Sequence, residues 1–270
     1  MAGEPDWVPP GVDTKRANVA RVYDYWLGGS HNFLTDQDLG RAIAAVEPNI
    51  RAMARANRAF LGRAVRFLAA AGIRQFLDIG SGIPTEGNVH EVAQQANPGA
   101  HVVYADLDPV AVAHSTAILA GNTSAAIIEA DLREPEKILT HHTVGRLIDL
   151  SQPTGLLLVS VLHFIADADD PWRIVATLRH AIAPGSYLVL CHGTDESKPA
   201  VAQAFEEVYN RSITAQGHVR SRTEILRFFD GFDLVDPGLV FMPQWRPDSP
   251  ADLPDDPSQF WGLAGVGRTT

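Results

Sequence analysis

This sequence predicts an α/β fold: a doubly wound, mostly parallel sheet with an antiparallel edge hairpin and a helical extension in front of it. Three observations carry the prediction. From residue 73 onward, short apolar runs alternate with helical stretches, as right-handed βαβ crossovers require. The first run, 75–79, breaks on Gly80 and Gly82, and glycines at a strand's carboxyl end let a ligand approach the backbone. The last two apolar runs have no helix between them, so they read as a hairpin and bring the count to seven strands.

Composition sets the limits. The chain has 270 residues, 46% of them hydrophobic, enough to bury one large core. Its formal charge of −10 argues against bulk nucleic-acid binding and against an anionic membrane surface. The single cysteine, Cys191, rules out an internal disulfide and a thiolate zinc cluster and fits a reducing compartment. Glu4 and Asp6 in a segment without an apolar stretch do not read as a signal peptide, and nowhere do 18 apolar residues run together. A soluble, cytoplasmic protein is expected.

Taken in order, residues 1–15 are punctuated by Pro and Gly and read as extended. Val19, Val22, Tyr23 and Trp26 follow helical spacing, and Gly28-Gly29 stops that helix. Its aromatics, Tyr23, Tyr25 and Trp26, with His31 and Asn32, fit either packing on the domain or a lid over a ligand. Residues 36–71 read as helical with a break at Pro48, and Gly72 closes the stretch. Arg51, Arg55, Arg58 and Arg66 fall roughly on one face; such a row is usually solvated, but Arg58 or Arg63 could meet a carboxylate near the glycine turn. The division expected is a helical extension or lid over 1–72 and a ligand-binding domain over 73–270.

Phe76, Leu77 and Ile79 give the first strand the apolar character of one covered on both faces. Asn88 with Glu91 resembles a capping box for the next helix. The second strand is 101–106, followed by Asp108 as helix cap and Pro109 at the first helical position. Strands are expected at 125–131, 154–164 and 186–192, with a helix near 170–182. Then come helices at 198–215 and 223–229, and strands at 234–242 and 260–266 around a loop rich in Pro and Asp.

A glycine turn alone is a weak signal, so the downstream acids matter more. A ribose diol calls for a carboxylate at the end of the second strand, about 20 residues past the glycines, and Asp106 stands there. Asp108 already serves as the cap, which leaves Asp106 for the ligand. Asp131, beside the Leu132 N–H, suits the amino group and N1 of an adenine, with Leu107 as an apolar wall. Asp78 lies inside the buried first strand, a costly place for a carboxylate unless it reaches a ligand's ammonium. A dinucleotide fingerprint would need a third small residue at 85, where Thr85 follows Pro84. The P-loop pattern is absent, and His90-Glu91 lacks the histidine at 94 of a zincin, so no metal is expected.

The Gly-Ser-Gly turn, Asp106, Ala130-Asp131-Leu132 and Val161-Leu-His-Phe164 resemble class I S-adenosylmethionine-dependent methyltransferases, whose sheet is Rossmann-like. More narrowly, 21–29, 76–85, 88–91 and 161–165 resemble a bacterial family of S-adenosyl methyltransferases of unassigned substrate. That resemblance covers about residues 15–268. It implies S-adenosyl-L-methionine as cofactor, with Gly80 and Gly82 near the methionine part, Asp106 at the ribose, and Asp131 and Leu132 at the adenine. Asp78, Ser81, Leu107 and Ser160 complete the candidate cofactor set. His163, past the fourth strand, is the candidate general base, its ordinary pKa of about 6.5 suiting the task; His192 and Asp195 are runners-up. The expected acceptor is a small molecule, since no Asn-Pro-Pro-Tyr or Pro-Cys nucleotide-methylating signature occurs. Two other readings stay open: a non-catalytic S-adenosylmethionine sensor or scaffold, and an NAD(P)-dependent oxidoreductase.

Overall fold

The structure, a computed structural model, describes residues 8–10, 12–84, 87–212 and 217–270. The extension consists of α1 (Val19–Leu27), α2 (Leu34–Val46) and α3 (Ile50–Ala70). Asn18 caps α1 by accepting from the Ala20 N–H at 2.8 Å, and Gly28 ends it in the left-handed region, φ 86°. Pro48 falls between α2 and α3, where its missing N–H costs neither helix a bond.

Five parallel strands follow: β1 (Gln75–Ile79), β2 (His101–Asp106), β3 (Ala125–Glu129), β4 (Gly155–Val159) and β5 (Tyr187–Gly193). Three short strands complete the sheet: β6 (Asp233–Leu234), β7 (Val240–Phe241) and β8 (Gly262–Arg268). The spatial order is β3-β2-β1-β4-β5-β8-β6, with β7 also paired to β8. The pairs among the first five are parallel, and β8 runs antiparallel to β5, β6 and β7. Chain direction of travel across the sheet reverses between β1 and β4, the switch point where open α/β sheets bind ligands.

The crossovers hold α4 (Val89–Ala96), α5 (Pro109–Ile118), α6 (Pro135–Leu139), α7 (His142–Leu147) and α8 (Pro171–Ala181); α9 (Pro199–Ser212) and α10 (Arg222–Leu226) lie between β5 and β6. Alternation sorts the strand side chains into two cores. Phe76, Val102, Leu157, Val189 and Ala264 pack toward α3. Leu77, Val103, Leu156, Leu188 and Leu263 pack on the other face, with Ile138 of α6 and Ile174 of α8. The period of two therefore turns Asp78, two residues after Phe76, toward the α3 side. Its position on that face decides where the site can form.

Some expectations change in detail. The strand expected at 234–242 is two fragments, because Pro237 cannot donate to a ladder and Gly238 turns at φ 84°; the sheet thus has eight strands where seven were expected. The fourth strand stops at Val159 rather than 164, since Ser160 takes a left-handed φ of 58° and the chain turns into a short 3₁₀ segment, Leu162–Phe164. The third strand ends at Glu129, the last strand starts at Gly262, and the helix expected at 223–229 gives way to a 3₁₀ turn after Leu226. Thr85 and residues 213–215 of the expected helix lie outside the described residues. Among the described residues, no helix is long and apolar enough to cross a membrane, and no cluster of three metal-binding side chains occurs.

Candidate active site

A cavity of about 660 Å³ runs over the carboxyl ends of the strands, from β3 to β8, beneath α1, α3 and α9. Asp78, Gly80, Ser81, Gly82, Asp106, Leu107, Asp131, Leu132, Ser160 and His163 all line it. Of the other candidates, His192 and Asp195 do not.

The turn after β1 is built by backbone chemistry. Gly80 sits at φ 74° and Gly82 at φ 68°, and the Gly80 N–H donates to the Ala105 carbonyl at 2.8 Å. A Cβ on Gly80 would meet Val161 Cγ2 at 2.3 Å, whereas one on Gly82 would meet nothing within 4 Å. Gly80 therefore allows close packing against the β4 loop, and Gly82 leaves open space over the turn. The Gly82 N–H donates to Asp106 Oδ2 at 2.7 Å and the Asp108 N–H donates to Oδ1 at 2.9 Å, so the turn orients the carboxylate. Burial pushes Asp106 up to about 6, against the pull of those two backbone N–H groups. Asp108 caps α5 by accepting from the Val110 N–H at 2.6 Å. The cap of α5 is thus Asp108, while Asp106 is held by the glycine turn.

Asp78 is 4% exposed and makes no hydrogen bond or ion pair among the described residues. Burial raises its pKa from 3.8 to about 7, with the Arg58 charge lowering it and Asp106 raising it. Ser81 Oγ is also buried without a partner. A carboxylate and a hydroxyl left unsatisfied in a cavity wall suit an ammonium and carboxylate arriving with a ligand. Burial raises Asp131 too, but hydrogen bonds from Arg133 (Nε to Oδ1 at 3.0 Å and to Oδ2 at 2.9 Å) outweigh it and hold the group below its usual range. The Leu132 N–H beside it donates to no group among the described residues. Leu107 is 54% exposed and Leu132 buried, and both are apolar surfaces suited to a flat heterocycle.

Both ring nitrogens of His163 lack hydrogen bonds among the described residues, and Nδ1 is fully buried. Burial, then the Arg220 charge, then His218, bring its pKa down to about 3. The ring is therefore neutral at physiological pH, a weaker base than its ordinary value suggests. His192 is fully buried, 2.8 Å from Arg220 Nη1 through Nε2 and with Nδ1 facing its neighbour's carbonyl; burial carries its pKa well down. It holds the Arg220 network in place. Cys191 lines the cavity, but burial pushes its thiol up to about 12, so no thiolate nucleophile forms.

The extension takes part unevenly. Tyr23 and Trp26 line the cavity, and each is also anchored: the Tyr23 hydroxyl donates to the Ala54 carbonyl at 3.0 Å, and Trp26 Nε1 to the Gly40 carbonyl at 3.2 Å. Tyr25 instead faces the Arg51 guanidinium, His31 stacks on His114, and Asn32 ties down Asp24. Arg58 lines the cavity near Asp78, while Arg63 donates to the carbonyls of Trp245 and Met242, not to a carboxylate. Asn57, Phe205, Tyr209, His218 and Trp261 also line it, and sequence reasoning missed them. Only the i, i+4 spacing of Phe205 and Tyr209 hinted at a shared face.

The architecture and cavity are those of an S-adenosylmethionine-dependent methyltransferase. A family model for S-adenosyl methyltransferases matches residues 5–270, and the chain belongs to that family. It is similar to a candidate methyltransferase from Thermobifida fusca YX, at 43% identity and a TM-score of 0.92 over 98% of this chain and 100% of that one. It is also similar to a DUF574 family protein from Streptomyces avermitilis MA-4680, at 36% identity, TM-score 0.92, and 96% and 99% coverage. At the level of fold alone, it resembles an N-methyltransferase, NodS from Bradyrhizobium japonicum WM9, in complex with S-adenosyl-L-homocysteine (14% identity, TM-score 0.50, 87% and 98% coverage). No curated protein matches. The cofactor is S-adenosyl-L-methionine.

Proposed function

We propose that this methyltransferase acts on a small-molecule acceptor held in the same cavity as its cofactor. The observation that supports this best is the cavity itself: about 660 Å³, roofed by α1, α3 and α9, within the range of small-ligand sites. In this reading residues 1–72 are a helical extension that roofs the methyltransferase domain, residues 73–270.

The roles proposed follow from the unsatisfied groups. Asp78 takes the cofactor's ammonium, with Ser81 and the turn of Gly80 and Gly82 at the amino-acid end and Ser160 beside it. Asp106, oriented by two backbone N–H groups, accepts from the ribose hydroxyls. Leu107 and Leu132 flank the adenine, Asp131 accepts from its amino group, and the free Leu132 N–H donates to a ring nitrogen. Bound there, the cofactor supplies an electrophilic methyl group on a sulfonium. The chain's own part is to orient the acceptor and exclude water. His163, neutral and unpartnered, accepts the acceptor's proton or hydrogen bond; its low basicity restricts it to protons made acidic as the new bond forms.

Calorimetric titration with S-adenosylmethionine tests the cofactor roles: Asp106→Ala should weaken binding about 10- to 100-fold, and an unchanged affinity in a folded variant would remove Asp106 from the site. Labelled-methyl transfer into a cell extract split by filtration tests the acceptor. Label in the small-molecule filtrate supports the reading, and label confined to protein or nucleic acid overturns it. Binding without any labelled product would favour a sensor.

A further inference from the structure

The two ends of the cavity differ in kind. Among the described residues its carboxylates are five, Asp78, Asp106, Asp108, Asp131 and Asp169; they stand at or near the carboxyl ends of β1, β2 and β3, apart from Asp169, which lies within electrostatic reach of Arg133 at the β3 end. Arg58, the other guanidinium in the wall, acts on Asp78. From β5 to β8 the described wall has no charged side chain. It is formed by Phe164, Phe205, Tyr209, Met242 and Trp261. Tyr209 is stacked between Phe164 (centroids 5.5 Å apart, planes 24° apart) and Phe205 (5.1 Å, 27°), and Trp261 meets Phe205 edge-on at 5.2 Å.

Besides Ser81 Oγ at the glycine turn, three polar atoms in the wall are buried without a partner among the described residues: Asn57 Oδ1, His163 Nδ1 and His218 Nε2. The two segments that carry these histidines, one after β4 and one before α10, are tied together. The His218 N–H donates to the His163 carbonyl at 2.7 Å, and Arg220 donates to the Leu162 and Ile165 carbonyls at 3.0 and 2.8 Å on either side of it. On α3, the Asn57 side-chain N–H₂ is spent on the Tyr23 hydroxyl at 2.9 Å, leaving the amide oxygen as a bare acceptor. An orphaned amide oxygen, which can only accept, and orphaned ring nitrogens in a stacked aromatic wall call for a ligand that is flat, uncharged and able to donate hydrogen bonds. An ionised acceptor would lose its water there, and the guanidinium whose charge reaches His163, Arg220, is already engaged by Asp167.

We infer that the β5–β8 end of the cavity binds a neutral, planar aromatic acceptor bearing a hydroxyl or N–H group, stacked against the Phe164–Tyr209–Phe205 row and hydrogen-bonded to the orphaned acceptors Asn57 and His163. This rests on the proposed placement of cofactor and acceptor in one cavity.

Binding to the protein with S-adenosyl-L-homocysteine present, followed by calorimetry, tests it with four probes on one ring system. They are 2-naphthol, 6-hydroxy-2-naphthoate, 2-(aminomethyl)naphthalene and 2-methoxynaphthalene. The naphthol should bind saturably, and the anionic and cationic analogues about tenfold or more weakly, because each buries an uncompensated charge. The methyl ether, with no proton to donate, should also bind several-fold more weakly. Phe205→Leu, which keeps an apolar side chain and removes the ring, should lower naphthol affinity about three- to tenfold while S-adenosyl-L-homocysteine affinity stays within about twofold. Equal or tighter binding of a charged analogue, an unmoved naphthol affinity in Phe205→Leu, or no saturable naphthol binding would each overturn the inference. Failure of S-adenosyl-L-homocysteine itself to bind would instead strike the cofactor placement beneath it.

Discussion

The β1–β3 end of the cavity and its β5–β8 end are built from opposite materials. At the first, glycines, aspartates and backbone N–H groups sit at the carboxyl ends of strands or in the turns directly after them, and each acid has a neighbour that orients it or an environment that strains it. At the second, rings from α9, from Trp261 just before β8 and from the loop after β4 converge from distant parts of the chain and leave buried polar atoms without partners among the described residues. The contrast teaches how a methyl-transfer site divides its work. In the proposed placement, charge is spent where a cationic, polyhydroxylated cofactor would be gripped, and withheld where the acceptor would be desolvated.

Substitutions can break this comparison, and the largest effect belongs to the turn. Gly80→Ala forces a Cβ against Val161 at φ 74° and should cost roughly 2–4 kcal/mol of stability by urea unfolding, with cofactor binding lost as the turn shifts. A variant within about 0.5 kcal/mol of the parent would show that the turn tolerates a side chain. Asp106→Ala comes next, at about 1.5–3 kcal/mol of cofactor affinity, and it should leave naphthol binding at the far end unchanged.

Asp78 carries a prediction of opposite sign for stability and function. Its carboxyl rises from 3.8 to about 7 on folding, so between those values the folded chain holds a proton that the unfolded chain releases. Its contribution to stability therefore declines as pH rises from about 4 to about 7. Asp78→Asn should stabilise the ligand-free protein at pH 8 by about 1–3 kcal/mol, with the gain vanishing near pH 4, while weakening cofactor binding. A melting series across pH reads the first effect and calorimetry the second; a variant that is less stable at pH 8 would mean that Asp78 has a structural partner.

Proton linkage gives a smaller effect. Cofactor affinity should fall about tenfold per pH unit or less as Asp78 and then Asp106 take up protons below about 7 and 6. His163, already neutral above about 3, should add no inflection near 6.5 to the rate profile. An acidic limb that disappears in His163→Gln would show instead that the ring titrates in the working range. Smallest of all is Asp131→Ala, expected to cost cofactor affinity no more than about 1 kcal/mol, since Arg133 already engages both of its oxygens.

Much of the first region was legible because its logic is local. A strand that ends on Gly80-Ser-Gly82, a helix capped by Asp108 and opened by Pro109, and Asp106 left over between them are readable from a dozen neighbouring residues. Burial on both faces made the parallel strands nearly continuous apolar runs, and so they were found in order. Strand ends were less legible. Val159 to Phe164 is mostly apolar, and nothing in it announced that Ser160 would turn left-handed and swing His163 off the strand. The strand expected at 234–242 failed for a visible reason, Pro237-Gly238, whose weight as a breaker exceeded the pull of the apolar residues around it.

The sequence by itself determined the fold class and which acids stand near the strand ends, because period, capping and turn chemistry act over a few residues; the family came from the resemblance of its motifs. Tertiary structure decided what those groups became. Burial, the largest cause in both, moved Asp78 toward 7 and His163 toward 3, and that depends on which helices cover them. Only folding could bring Phe164, Tyr209 and Trp261 to one wall, or leave Asn57 with one bonded and one bare atom. Long-range packing sets desolvation, and desolvation sets what each group can do.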